Sequence, residues 1–158
     1  MKKSIYIIIL CLPLILLTLM AGCEKEVSTF NSKNFMDELT KLNINYSVDK
    51  NTSKDMLSVA PIIININKDR FFIFEYKNSK AMEKDASTID SGGCTVGNHK
   101  VSWVSYPHFY KKGNLIIQYV GDNKNIISTL EQILGKQFAG YNQWYKKLPS
   151  IKLKLPVD

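Results

Sequence analysis

The feature that most constrains this chain is an apolar run from Ile5 to Met20. Two lysines precede it, and Ala21 and Gly22 follow it. A positive start, an apolar middle and small residues at the end are typical of a secretory signal peptide, which is removed on export. The alternative is an uncleaved transmembrane anchor, but the run reaches only 18 residues with Ala21 and Gly22 included, and about 20 span a bilayer. We therefore predict a signal peptide over residues 1–22, which leaves 136 residues to fold.

The run ends in the order Leu19-Met20-Ala21-Gly22-Cys23. This order resembles the lipobox of bacterial lipoproteins, in which the cysteine carries a diacylglycerol thioether and becomes the first residue after cleavage. The resemblance implies lipidation at Cys23 and attachment to the extracytoplasmic face of the cell membrane. One acyl chain binds a membrane only marginally, whereas two hold a protein stably. We therefore expect Cys23 to be an anchor and not a catalyst.

The charge of the mature part is basic but almost free of arginine. Of 21 basic residues in the whole chain only Arg70 is arginine, and residues 23–158 hold 19 basic and 14 acidic residues, a net charge of +5. Bidentate recognition of phosphate favours arginine over lysine. We therefore predict diffuse attraction to anionic lipid or wall polymer, and no nucleic-acid partner.

One thiol remains after export, because Cys11 is lost with the signal peptide and Cys23 is lipidated. A single thiol cannot form an intramolecular disulfide, so the fold must depend on its apolar core. Cys94 is then either a reactive thiol or a small buried apolar side chain. We predict that it is buried.

Only eight residues, 24–31, separate Cys23 from the first helical pattern, and they reach at most about 28 Å when extended. This spacing predicts a lipidated tether over 23–31, a globular domain over 32–140 and a basic aromatic tail over 141–158. The domain should lie close to the bilayer. Its partners should therefore be membrane-proximal.

The pattern of apolar residues predicts an α+β domain with the order α-β-β-β-α-β-β-α. N-caps at Ser32 and Ser79, and a cap within Gly121-Asp122-Asn123, predict three helices. Hairpins separated by helices favour an antiparallel sheet of about five strands with helices on one face. The strand patterns lie at 45–48, 61–67, 70–76, 100–106 and 115–120, and an alternating edge pattern follows in the tail at 151–155.

Four short segments between Phe71 and Gly140 resemble a group of small lipoproteins from Gram-positive bacteria. They are Glu83-Lys84-Asp85-Ala86, Pro107–Asn114, Tyr119–Asn123 and Leu134–Gly140. No activity is assigned to that group, so the resemblance implies a fold and a location and no chemistry.

Three candidate metal ligands follow Cys23, namely Cys94, His99 and His108. Their spacing, Cys-x4-His-x8-His, matches no tight zinc pattern, and a carboxylate such as Asp90 would have to assist. A Cys-His nucleophilic pair has no local signature here. Serine-hydrolase motifs and a glycine-rich phosphate loop are also missing from the sequence. We therefore expect no catalytic residue, no metal and no cofactor.

Candidate binding residues lie in two aromatic segments. Trp103 is predicted to alternate into the core. Tyr106, His108 and Tyr110 are predicted to form an exposed patch, because the proline after Tyr106 interrupts strand pairing at an edge or bulge. In the tail, Trp144 either rests at the membrane interface or packs on the sheet. We name Tyr106, His108, Tyr110 and Trp144 as the predicted binding residues.

The leading hypothesis is a non-catalytic, membrane-anchored extracytoplasmic module that binds a membrane-proximal protein or an envelope ligand. The anchor, the short tether and the lack of a recognised reactive set favour it. One alternative is an inhibitor or immunity-like protein that occupies a toxin or enzyme. A third and weaker hypothesis is an envelope hydrolase. The sequence does not exclude it, because the paired carboxylates of such an enzyme meet in space and leave no sequence motif.

Overall fold

The computed structural model describes residues 29–50 and 56–141. The signal peptide, Cys23, most of the tether, Trp144 and the strand pattern of the tail lie outside the described residues. The described helices are α1 (Ser32–Lys41), α2 (Ser79–Ala86) and α3 (Lys124–Leu134). The described strands are β1 (Ser47–Asp49), β2 (Ile62–Ile66), β3 (Asp69–Glu75), β4 (Thr95–Val96), β5 (His99–Lys100), β6 (Pro107–Lys112), β7 (Leu115–Val120) and β8 (Ala139–Gly140).

The strands form one large antiparallel sheet and one small ribbon. Six strands lie in the order β1-β2-β3-β7-β6-β8, and β4 pairs with β5 by itself. Each neighbouring pair in the large sheet is antiparallel. The predicted α+β class and antiparallel sheet are therefore confirmed. The described sheet has six strands where about five were predicted, and the ribbon of β4 and β5 was not predicted.

The helices begin where short polar side chains satisfy free backbone N–H groups. Asn31 accepts from the N–H of Asn34 before α1, and Asn78 accepts from the N–H of Ala81 before α2. The predicted caps at Ser32 and Ser79 are thus one residue late. Asn123, the last residue of the predicted capping segment Gly121-Asp122-Asn123, caps α3.

The two faces of the sheet are both covered, so the prediction of helices on one face only is wrong. A first core joins α1 and α3 to one face, and a second core joins α2 and Val96 of the ribbon to the other. The physical reason is visible in β7, where Leu115, Ile116 and Ile117 are consecutive and all fully buried. A sheet with one face in water alternates apolar with polar residues, whereas a continuous apolar run needs cover on both sides.

The strand predicted at 100–106 is also wrong. Residues 101–106 form an irregular segment, and the strand begins at Pro107, which pairs with Val120. Proline has no N–H to donate, and the first position of a strand tolerates this. Pro107 therefore starts a strand instead of interrupting one.

Different segments of the chain pack at the two ends of β6. At one end, the N–H of Asn114 donates to the carbonyl of Phe30 across 3.1 Å, and the Lys112 ammonium lies 4.5 Å from the centre of the Phe30 ring. At the other end, the 101–106 segment enters β6, and the N–H of Tyr141 donates to the carbonyl of Pro107 across 2.7 Å. A strand of six residues separates these ends by about 17 Å.

Candidate functional site

An exposed apolar surface lies at the Pro107 end of β6. We call it the Tyr106 surface and define it by Val104, Tyr106 and Tyr141. Val104 is fully exposed, and Tyr106 is 41 % exposed. The rings of Tyr106 and Tyr141 stack with their centroids 3.9 Å apart. The loop thus presents an aliphatic side chain two residues before a tyrosine that stacks on Tyr141.

A shallow groove of about 380 Å³ adjoins this surface. Val101, Trp103, Pro107 and Tyr141 supply apolar parts of its wall. The indole N–H of Trp103 donates to the carbonyl of Gly93 across 2.6 Å. Trp103 is half-buried against the second core, so the predicted alternation into the core holds only in part. The hydrogen bond and the packing against the core together hold one wall of the groove in place.

A turn organised by Asp90 also lines the groove, through Gly92 and Cys94. Its carboxylate accepts from the N–H groups of Cys94 and Thr95 at 2.8 and 3.0 Å, and its carbonyl accepts from Gly93. Desolvation raises the pKa of Asp90, but these backbone donors and the Thr95 hydroxyl outweigh it, so the pKa lies below its ordinary value. Asp90 is therefore a structural carboxylate that shapes the turn.

Cys94 is exposed at this turn, so the prediction that it is buried is wrong. The turn that precedes β4 holds its backbone against Asp90 and leaves the thiol beside the groove. His99 is exposed on the ribbon. His108 faces the first core, on the other side of the sheet from the ribbon. These three residues therefore do not converge, and the described part of the chain holds no group of three His, Cys, Asp or Glu residues placed to bind a metal.

His108 and Tyr110 are buried, so the prediction that they form an exposed patch with Tyr106 is wrong. His108 is 3 % exposed and Tyr110 is fully buried. Both belong to β6, where alternate residues point to the same face, and that face is covered by the first core. Tyr106 is exposed as predicted, and Trp144 lies outside the described residues.

The buried ring of His108 lies between two oxygen atoms. Its Nδ1 is 2.7 Å from Oε1 of Gln137, and its Nε2 is 3.1 Å from the carbonyl oxygen of Gly121. The ring also stacks on Tyr119, with centroids 5.8 Å apart. Sequence reasoning missed Gln137, because a single glutamine in an irregular segment forms no pattern.

None of the described helices combines the length and the apolar character needed to cross a membrane. Comparisons with family models, with curated proteins and with solved structures found no match. The resemblance to small Gram-positive lipoproteins therefore stays a prediction from the sequence.

Proposed function

We propose that this chain is a lipid-anchored, non-catalytic module on the extracytoplasmic face of the cell membrane, and that its Tyr106 surface binds a membrane-proximal protein. The order Leu19-Met20-Ala21-Gly22-Cys23 supports the location. The observation that carries the binding proposal is the complete exposure of Val104, two residues before Tyr106, whose ring stacks on that of Tyr141.

The chemistry of this surface favours a protein partner. Apolar and aromatic side chains that gather on a surface mark interaction sites more often than scattered ones do. Tyrosine and tryptophan are enriched at the centres of protein interfaces. Here Trp103 and Tyr141 also line the adjoining groove, which can receive a side chain of the partner.

The Tyr106 surface and the described end of the tether lie at opposite ends of β6. Phe30, which precedes α1, is held at the Gly113 end of β6 by the hydrogen bond from Asn114. The Tyr106 surface lies at the other end of the strand, about 17 Å away. The described part of the tether therefore does not occupy the end of β6 at which the Tyr106 surface lies.

The location is tested on the full chain expressed in a Gram-positive host. Mass spectrometry of the mature N-terminal peptide should find a diacylglyceryl thioether on Cys23. Cys23→Ser should leave the signal peptide attached and remove the lipid. A native product that starts at Met1 and lacks acyl chains would contradict the proposed location.

Binding is tested with a photo-crosslinking amino acid at position 104 in living cells. Ser128, which is exposed on α3, supplies the matched control position. Crosslinking at 104 should yield one defined protein that the probe at 128 does not capture. The purified partner should then bind the wild-type chain at least about tenfold more tightly than Val104→Asp, with Ser128→Asp unchanged. Equal capture at both positions, or equal affinity for both variants, would contradict the proposed surface.

The same experiment separates the binding module from the inhibitor or immunity-like alternative. If the captured protein is a toxin or an enzyme whose activity falls on binding, the inhibitor function is favoured. If the partner is an envelope protein whose activity does not change, the binding module is favoured.

A further inference from the structure

The hydrogen-bond partners of the His108 ring indicate which of its two nitrogens carry a hydrogen. Nε2 of Gln137 donates to the carbonyl of Tyr141 across 2.8 Å, and this hydrogen bond sets which way the Gln137 amide points. Oε1 of Gln137 therefore faces Nδ1 of His108. The other ring nitrogen, Nε2, faces the carbonyl of Gly121, which can only accept.

A neutral imidazole cannot donate to both oxygens, because it carries one N–H and one lone pair. Either Gln137 or Gly121 would then present an oxygen to a ring nitrogen without a hydrogen. Turning the Gln137 amide would set its Oε1 against the carbonyl oxygen of Tyr141. Only a ring protonated on both nitrogens donates to both oxygens. Because His108 is 3 % exposed, little water can reach the ring to replace a missing hydrogen bond.

Burial disfavours a positive charge on the ring, and ionisable groups on the elements packed around it can offset that cost. On β7, Tyr119 stacks on His108, and its hydroxyl donates to Asp69 at the start of β3. Asp122 directly follows Gly121 and is exposed. On β6 the nearest ionisable neighbour on the same face is Tyr110, beside which lies Glu131 of α3. Lys136 precedes Gln137 and is exposed to water, which screens its charge.

The two partners of His108 also hold the two residues of the stacked pair. The N–H of Gly121 donates to the carbonyl of Tyr106 across 2.9 Å. Gln137 donates to the carbonyl of Tyr141. Each ring nitrogen of His108 is thus connected through one residue to one of the two stacked tyrosines.

We propose that His108 is a pH-sensitive element of the fold: its doubly protonated ring keeps Tyr106 stacked on Tyr141, and loss of one ring proton releases the stacked pair. This element acts on the conformation of the Tyr106 surface, whatever that surface binds.

Nuclear magnetic resonance of the full chain in detergent micelles tests this proposal between about pH 5 and pH 8. Ring ¹⁵N shifts of His108 should show two protonated nitrogens at the acid end and one at the alkaline end. The proximity of the Tyr106 and Tyr141 rings, measured as a nuclear Overhauser effect, should disappear at the same midpoint. His99→Gln should leave this midpoint unchanged, because His99 lies exposed on the ribbon.

His108→Gln should abolish the pH dependence of the Tyr106–Tyr141 stacking. If that variant does not fold, Gln137→Glu gives a second reading in the ring ¹⁵N shifts alone, because a carboxylate beside Nδ1 should move the midpoint of the His108 ring to higher pH, while the lost amide donor to Tyr141 disturbs the stacking by itself. A His108 ring with only one protonated nitrogen throughout this range would overturn the proposal. Stacking of Tyr106 on Tyr141 that does not follow the His108 titration would overturn it as well.

Discussion

The hydroxyl of Tyr119 donates a hydrogen bond to Oδ1 of Asp69 across 2.8 Å, although the two residues lie 50 positions apart. The N–H of Asn123 donates to the same hydroxyl, and the Asn123 amide donates to the other oxygen of Asp69. Asn123 also caps α3. The start of β3, the end of β7 and the start of α3 are therefore joined by one polar network.

Removing the Tyr119 hydroxyl should lower the free energy of unfolding by about 1–2 kcal/mol, because Asp69 and Asn123 are each deprived of a hydrogen-bond partner. Tyr119→Phe tests this in urea denaturation followed by circular dichroism. Tyr110→Phe is the matched control, since the Tyr110 hydroxyl is buried and has no hydrogen-bond partner among the described residues. The control should be neutral or slightly stabilising. Equal destabilisation of the two variants would contradict the network.

Ionisation of Tyr119 should make the fold less stable in alkali. Burial, and then the hydrogen bond to Asp69, raise the pKa of Tyr119 to about 12, above its ordinary value of 10.0. The folded state therefore holds this proton more tightly than the unfolded chain does. The stabilisation is complete below pH 10 and is lost as the pH rises from 10 to about 12.

Urea denaturation of the wild type and of Tyr119→Phe at about pH 8 and about pH 11 measures this effect. The wild type should lose about 1 kcal/mol more than the variant between these values. Absorbance at the tyrosinate band should rise together with unfolding. A Tyr119 that ionises in the folded chain near its ordinary pKa would contradict the prediction.

Both cores should contribute to stability, because neighbouring residues of β7 point into different ones. Ile116 packs in the second core and Ile117 in the first, and each is fully buried. Ile116→Ala and Ile117→Ala should each lower the free energy of unfolding by about 2–5 kcal/mol. Val48→Ala, on an exposed position of β1, serves as the control and should cost less than about 1 kcal/mol. A small effect of Ile116→Ala would mean that the second face is not a core.

The packing of Phe30 on the β6–β7 turn should not tolerate a side chain at Gly113. This residue has a φ of +62°, and a methyl group there would overlap the carbonyl oxygen of Phe30. Gly113→Ala should therefore cost at least about 1–3 kcal/mol in thermal or urea unfolding. Gly92→Ala, where the nearest atoms lie at 3.8 Å, should change stability by less than about 0.5 kcal/mol. Similar values for the two variants would show that Phe30 does not pack on this turn.

The Cys94 thiol should react in the folded chain. With Cys11→Ser and Cys23→Ser, Cys94 is the only thiol left, and a disulfide reagent should consume one equivalent without denaturant. Adding urea should speed the reaction only slightly. A thiol that reacts only after unfolding would be buried, contrary to the structure.

The positions of the three helices were predictable because the signals are local. Apolar spacing marks the packed face of a helix, and the side chain that caps it lies within three residues of the N–H it binds. For the same reason, the predicted capping segment of α3 contains its cap, Asn123, whereas Asn31 and Asn78 were missed by one residue. The antiparallel sheet was predictable from short turns between apolar runs, as at residues 67–70 and 112–115.

The burial of His108 and Tyr110 and the exposure of Cys94 were not predictable, because each depends on distant parts of the chain. A shift of one residue in where β6 begins exchanges the faces of all its side chains, and pairing with β7 and β8 decides that start. The second face of the sheet is covered by α2 and by the ribbon of β4 and β5. Both come after β3 in the chain, so the pattern of β3 alone does not show that this face is buried.

The sequence by itself therefore determined the three helices and the short turns between strands, and the proposed anchor rests on the resemblance of Leu19-Met20-Ala21-Gly22-Cys23 to a lipobox. The tertiary structure alone decided which side chains reach the surface, and with that the choice of Val104, Tyr106 and Tyr141 over His108 and Tyr110. The physical reason is that helix caps and turns are satisfied within a few residues, whereas burial is the outcome of packing between strands and helices far apart in the chain.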